Sequence, residues 1–202
     1  MKKQTLLFDF DGTLIDSQGI IQRYVEHLFK EYQVILSEEE NFATQGMSIT
    51  SFAQWIEKHK KIVIPEEELT VTDPNYLERI QPFPGIQSTL ALLKSKKYKM
   101  AIVSNSPREY VELLLRKYNL EHYFGSVITE DEAPPKPNPQ MLSMAMNELE
   151  VTSEDCVMID DNAPGIEAAN NLGIYTVRIG KEQGAANERI NSVEELLEIL
   201  EK

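Results

Sequence analysis

The stretch Thr5-Leu6-Leu7-Phe8-Asp9-Phe10-Asp11-Gly12-Thr13 decides how this chain is read. A short apolar run that ends in two acids and a glycine turn has the pattern of a buried strand whose polar tip opens on a site. Similar runs recur at 99–104, 126–129, 156–160 and 175–179, each bounded by turn residues. Between and after them lie helical patterns at 86–96, 107–118, 139–149, 164–172 and 193–200. Pro107, Pro139 and Pro164 suit the first turn of a helix, where the missing N–H is no loss. Strand alternating with helix predicts an α/β fold: a doubly wound parallel sheet with helices on both faces.

From Ser17 to Ile80 this alternation stops. The patterns at 20–32, 37–44, 49–60 and 75–80 all read as helices, with no buried strand between them. Residues 17–80 are therefore expected to form a small inserted helical subdomain, and 1–16 with 81–202 the α/β core. The connection Gln81-Pro82-Phe83-Pro84-Gly85 suits a return to the sheet, because two closely spaced prolines stiffen the chain and disfavour helix before each.

The chain of 202 residues carries 20 Lys and Arg against 33 Asp and Glu, a formal net charge of −13. Nucleic-acid binding needs Lys and Arg to neutralise phosphates, so this balance argues against that partner. One cysteine rules out a disulfide framework, and no apolar stretch approaches the roughly 20 residues of a membrane span. The amino terminus shows no signal-peptide pattern. The expectation is a cytoplasmic protein, monomeric or weakly dimeric, without a nucleic-acid or membrane partner.

In an open parallel sheet, ligands bind beyond the carboxyl ends of the strands. Strand period 2 places Asp9 and Asp11 on one face at such an end. Asp160-Asp161-Asn162 ends the fourth run, Ser104-Asn105 ends the second, and Lys136 sits among prolines in Pro134-Pro135-Lys136-Pro137. Carboxylates forced together call for a cation, and Mg²⁺ suits a site of one or two carboxylates plus substrate phosphate. Acids for a metal, with a hydroxyl and a lysine for phosphate oxygens, are the inventory of phosphoryl transfer.

These motifs in this order, Asp9-Phe10-Asp11-Gly12-Thr13-Leu14, Ser104-Asn105, Lys136-Pro137 and Asp160-Asp161-Asn162-Ala163-Pro164-Gly165, resemble the four motifs of the haloacid dehalogenase (HAD) superfamily. The resemblance spans almost the whole chain outside the insert, which is similar to the helical cap carried by phosphoglycolate phosphatases and β-phosphoglucomutase-like members. It implies a Rossmann-like HAD core. Asp9 would attack phosphorus to form an aspartyl-phosphate, and Asp11 would act as general acid and then base. Ser104, Asn105, Gly12 and Thr13 would join Asp9 and Lys136 in binding the substrate phosphate. Mg²⁺ would be held by Asp9, the main-chain carbonyl of Asp11 and Asp161, with Asp160 completing or orienting that shell.

The acid at Asp11 separates this sequence from the halide-displacing members, which resemble D-x-Y there. A sugar-phosphate mutase would need a second phosphate anchor, an arginine in a cap segment resembling G-x-S-R. Here the segment is Gly46-Met47-Ser48-Ile49, and an apolar side chain cannot grip an anion. The favoured expectation is thus a Mg²⁺-dependent phosphatase for a small phosphorylated metabolite, with the mutase as the alternative. Arg23, His27, Lys58, Lys60 and Arg79 remain in the insert as other possible anchors. A phosphoacceptor signalling domain places its acids on separate strands and has no such insert, and a non-catalytic binding protein would not need every core motif position filled.

Plainer readings account for the remaining residues. A calcium loop starting at Asp9 would want Gly at its sixth position and Glu at its twelfth, where Leu14 and Ile20 stand. Cys156 reads as a small buried hydrophobe, and Trp55 with Phe52 and Ile56 as the core face of a helix.

Overall fold

The first apolar run forms β1 (Thr5–Phe8), with all four residues buried. Two-residue strands, β2 (Ile15–Asp16) and β3 (Gln81–Pro82), stand on either side of the insert. Between them lie α1 (Gln18–Glu31), α2 (Glu38–Ala43), α3 (Ile49–Lys60) and α4 (Pro74–Leu77). The chain continues through α5 (Ile86–Ser95), β4 (Lys99–Val103), α6 (Arg108–Lys117), β5 (Ser126–Ile128), α7 (Gln140–Glu148), β6 (Cys156–Asp160), α8 (Ala163–Asn171), β7 (Tyr175–Ile179), β8 (Glu188–Ile190) and α9 (Leu196–Leu200). This computed structural model describes residues 3–44, 47, 49–65, 68–69, 74–180 and 185–201.

Six strands make one sheet in the order β5-β4-β1-β6-β7-β8, every pair parallel. Helices flank it, as the strand–helix alternation predicts. Period 2 divides the side chains: Leu7, Ala101, Val103, Cys156 and Met158 pack with Met141, Leu142 and Ala145 of α7 and Ala168 and Ala169 of α8. Phe8, also fully buried, meets Phe124 edge to face at 6.3 Å between ring centroids. A fully buried leucine of this kind stabilises the fold by about 1.5–3 kcal/mol. Cys156 lies within this core, and burial pushes its thiol up to about 11, so it packs as a hydrophobe.

The sixth strand, β8, is a difference from the sequence reading. Its three residues Glu188-Arg189-Ile190 contain one buried apolar side chain, too little for a periodic signal, and pairing with β7 at the sheet edge makes them a strand. β1 also ends two residues earlier than its apolar run. Asp9 still donates its N–H to the Ile159 carbonyl at 2.9 Å, after which the chain turns.

Four helices of the α/β core hand the chain to the next strand or loop by the same closure. The N–H of Tyr98, Leu120, Val151 and Ile174 reaches back to the carbonyl of Leu93, Leu115, Met146 and Ala169, across a left-handed residue at 97, 119, 150 and 173. This is the Schellman arrangement, which satisfies orphan carbonyls at a helix end. Only one of the four left-handed residues is a glycine, Gly173.

By internal contacts the chain divides into two compact units, Met1–Asp16 with Pro82–Lys202, and Ser17–Gln81. The second unit has its own apolar centre of Val34, Phe52 and Ile56, against which Val25, Phe29 and Trp55 pack. Trp55 also stacks on His59 at 4.3 Å, consistent with a core-face residue. Among the described residues, no helix is long and apolar enough to cross a membrane.

Candidate active site

The carboxyl ends of β1, β4 and β6 carry Asp9, Ser104 and Asp160, so the parallel register alone gathers residues far apart in sequence. After β1 the chain makes a tight loop. Leu14 and Ile15 both donate to the Phe10 carbonyl, and Gly12 donates to Ile15. Gly12 has φ +81°, a left-handed conformation that glycine adopts without steric cost. Thr13 is fully buried in this loop, and its Oγ1 has no hydrogen-bond partner among the described residues.

Lys136 is the electrostatic centre. Its Nζ donates to Asp9 Oδ1 at 2.6 Å and to Asp160 Oδ2 at 2.8 Å, all three residues being buried. Asn105 holds the lysine's backbone from both sides, accepting from Lys136 N at 2.7 Å and donating to Lys136 O at 3.1 Å. The Asn105 side chain thus fixes the lysine loop. Ser104, 1% exposed, accepts from Ser106 N at 3.1 Å, and its own proton has no acceptor among the described residues.

Asp160 Oδ1 accepts from Asn162 N at 2.7 Å, so both its oxygens are engaged. Asp161 accepts from the Asn162 side chain, while its main-chain carbonyl receives Nε of Arg178 at 3.2 Å. Arg178 is 2% exposed and lies opposite Asp160 in the β6–β7 register. A guanidinium buried beneath the acidic strand end fixes the backbone that presents Asp161.

Asp9, Asp160 and Asp161 each offer a carboxylate oxygen within 4.8 Å of the others. Burial raises the Asp9 carboxyl well above the carboxylate range, and Asp160 adds to this against the opposing pull of Lys136. Burial, then Asp160, pushes Asp161 up to about 7. Burial alone would lower Lys136, but Asp160 and Asp9 outweigh it and hold the ammonium above its ordinary value. Three clustered carboxylates have one ammonium among them, which contacts Asp9 and Asp160, and the deficit of positive charge is what a hard divalent cation supplies. The donor set, all carboxylate oxygens, fits such an ion. Asp11 does not send its carboxylate to this cluster: Oδ2 accepts from Ser106 Oγ at 2.5 Å and Oδ1 from Tyr110 Oη at 2.7 Å.

Gly165, in the first turn of α8, is required by close approach. A Cβ there would lie 1.7 Å from Asp160 Oδ2. Because Asp160 is pinned by Lys136 and Asn162, Gly165→Ala is expected to force it off the lysine. The cost is about 1–3 kcal/mol, read as a fall in urea midpoint. An unchanged midpoint would show that Asp160 has room to move.

The sequence named Asp9, Asp11, Gly12, Thr13, Ser104, Asn105, Lys136, Asp160 and Asp161. The fold brings Asp9, Lys136, Asp160 and Asp161 together and links Ser104 to Asp11 through Ser106. Sequence reasoning missed Ser106, Tyr110 and Arg178. Ser106 follows a motif without belonging to it, and Tyr110 and Arg178 sit in ordinary helix and strand patterns.

The profile of the haloacid dehalogenase-like hydrolases matches residues 6–179. The chain belongs to this family. It is 29% identical over 182 residues to the pyrophosphatase PpaX of Oceanobacillus iheyensis, covering 89% of this chain and 84% of that protein. The crystal structure of a HAD phosphatase from Thermococcus onnurineus superposes with a TM-score of 0.72 at 25% identity, covering 98% of this chain and 97% of that one. CbbY from Rhodobacter sphaeroides, whose structure is a complex with phosphate, shares the fold at a TM-score of 0.74 and 23% identity, with 96% of each chain covered. The chain is a HAD-family enzyme of the phosphatase kind.

Proposed function

We propose that this chain is a Mg²⁺-dependent phosphatase that hydrolyses small phosphorylated metabolites through a phosphoryl group carried on Asp9. The observation that carries this reading is the buried Asp9–Lys136–Asp160 bridge beside Asp161, a site with one cation too few. Bound at Asp9, Asp161 and the Asp11 carbonyl, with Asp160 orienting the shell, Mg²⁺ would supply positive charge that keeps Asp9 ionised and neutralises phosphate oxygens.

The chemistry of the chain's own residues then follows in two steps. An oxygen of Asp9 bonds to phosphorus while the bond to the leaving oxygen breaks, and that oxygen takes a proton from Asp11. Asp11, now a carboxylate, accepts a proton from water as the water oxygen bonds to phosphorus and the Asp9–phosphorus bond breaks. Inorganic phosphate leaves and Asp9 is restored. Lys136 balances charge on the transferring group, and the Ser104 hydroxyl has a proton free to donate to one of its oxygens.

Relatives named as pyrophosphatases place inorganic pyrophosphate beside the phosphomonoesters among the substrates to test. The residue corresponding to the mutase arginine is Ile49, an apolar side chain buried in α3; Gly46 and Ser48 of that segment lie outside the described residues. Of the other candidate anchors in the insert, Lys60 pairs with Glu40 at 2.7 Å and the His27 ring lies 3.3 Å from Glu31.

The test is phosphate release from p-nitrophenyl phosphate, sugar phosphates, phosphoglycolate and pyrophosphate, with Mg²⁺ and after chelation. Release from at least one that falls at least about 100-fold on chelation, and returns with Mg²⁺, is the expected result. Isomerisation of a sugar phosphate without net release would establish the mutase instead. Turnover indifferent to chelation would overturn the metal assignment.

A further inference from the structure

The proposed reaction asks Asp11 to give and then take a proton, yet Asp11 belongs neither to the acidic cluster nor to the lysine bridge. Its carboxyl oxygens are held by two hydroxyls instead. Ser106 Oγ donates to Oδ2 at 2.5 Å and Tyr110 Oη to Oδ1 at 2.7 Å, one hydroxyl on each oxygen. Two donors on two oxygens fix both the direction and the plane of a carboxylate, which a single hydrogen bond does not.

Each donor is itself held. Tyr110 is 3% exposed, and its ring stands edge-on to the fully buried Phe10 at 6.1 Å and 90°. Ser106 N donates to Ser104 Oγ at 3.1 Å, so its backbone is tied to a site residue. The start of α6 between them is pinned as well: Arg108 N donates to Asp131 Oδ2 at 2.8 Å, and the Arg108 side chain reaches Glu132 at 2.6 Å and the Val127 carbonyl at 2.7 Å. Ser106 lies two residues before α6, ahead of the extended Pro107, and Tyr110 lies in the helix's first turn; both hydroxyls reach Asp11.

We infer that Ser106 and Tyr110 are positioning residues that clamp the Asp11 side chain, which gives its proton to the leaving oxygen as the carboxylic acid and takes one from water as the carboxylate. Neither touches the reacting phosphorus in this scheme; both act through Asp11. The inference rests on the phosphatase reading and adds to it which side chains orient the acid. General-acid catalysis depends on hydrogen-bond reach to the departing atom, so a carboxyl left free to rotate spends less time in the productive pose. The loss must depend on the leaving group. An alkoxide needs the proton, whereas a dinitrophenolate departs without it.

The experiment measures kcat/KM, which reports formation of the phosphorylated enzyme, for an alkyl phosphate and for 2,4-dinitrophenyl phosphate. The proteins are the full-length wild type, Tyr110→Phe, Ser106→Ala and Ser106→Thr. Expected is a fall of about 10- to 100-fold on the alkyl phosphate for Tyr110→Phe and Ser106→Ala, and less than about 3-fold on the dinitrophenyl ester. Ser106→Thr keeps the hydroxyl and stays within about 3-fold of wild type on both. Equal losses on the two esters, or none on either, would overturn the clamp and leave the two hydroxyls a structural role. A crystal structure of the Ser106→Ala, Tyr110→Phe double variant gives an answer that does not need turnover: the clamp requires the Asp11 side chain to leave its present orientation, and an unmoved side chain refutes it. Wild type inactive on every phosphate would count against the phosphatase reading, and the crystal structure would still decide the clamp.

Discussion

Asp9→Asn is expected to abolish phosphate release by at least about 1,000-fold, about 4 kcal/mol in activation free energy, while raising the melting temperature of the metal-free protein at pH 8. An amide of the same size has no charge to attack phosphorus, and the substitution leaves the Lys136–Asp160 contact in place. Stability moves the other way because Asp9 is one of three carboxylates crowded beside that lysine. Burial, chiefly, and Asp160 raise the carboxyls of Asp9 and Asp161 above the ordinary carboxylate range, Asp161 to about 7. A raised carboxyl contributes its full stability below the unfolded carboxylate range near pH 4 and loses it as pH rises through the folded value. Metal-free wild type should therefore melt lower at pH 8 than at pH 5. Asp9→Asn, with one charge fewer to crowd the site, should lose less over the same interval. Calorimetry at the two pH values, with chelator and with Mg²⁺, checks this; Mg²⁺ should raise the wild-type melting temperature most at the higher pH. A variant that melts lower than wild type at pH 8 would mean that the Asp9–Lys136 attraction outweighs the repulsion.

Lys136→Met is expected to be the most destabilising single change at the site. Methionine nearly keeps the volume but removes the one cation shared by Asp9 and Asp160, both of them buried. Removing one partner of a buried ion pair leaves charge without compensation and costs about 3–5 kcal/mol. For a domain of this size that corresponds to a melting temperature lower by about 6–20 °C. The loss should grow with pH, because at low pH Asp9 and Asp161 can take up protons and neutralise themselves. Phosphate release should fall by about 100- to 1,000-fold even where the protein is folded, since the transferring group loses a donor fixed by the Asn105 clamp. Melting curves at pH 5 and pH 8 with a parallel assay separate the two effects. A variant as stable as wild type at pH 8 would show that the carboxylates already find their compensation elsewhere.

These expectations differ in how much of them the sequence alone supports. The alternation of β-runs and helices identified five of the six strands and the flanking helices, because burial on both faces of a parallel strand writes a continuous apolar run. β8 escaped for lack of such a run. Three of the four left-handed residues that end core helices, Lys97, Asn119 and Glu150, are not the glycine that usually signals such a stop, so helix ends were legible from the resumption of the next strand rather than from their own chemistry. At the site, the motif residues could be named because parallel strands deliver their carboxyl ends to one edge whatever the details.

The sequence by itself determined the fold class, the acids at the ends of β1 and β6, and the presence of one lysine to meet them. Those facts follow from local pattern: periodicity, polar residues at strand ends, prolines at helix starts. Only the tertiary structure decided which charge meets which. Lys136 lies 127 positions from Asp9 and 24 from Asp160 along the chain, and nothing local sets whether it bridges them or points to solvent. The same holds for Ser106 and Tyr110, 95 and 99 positions from the Asp11 carboxylate they hold. Hydrogen bonds and ion pairs act over a few ångströms in space and leave no periodic trace in the sequence. They are fixed only when the sheet register has placed the backbone of both partners.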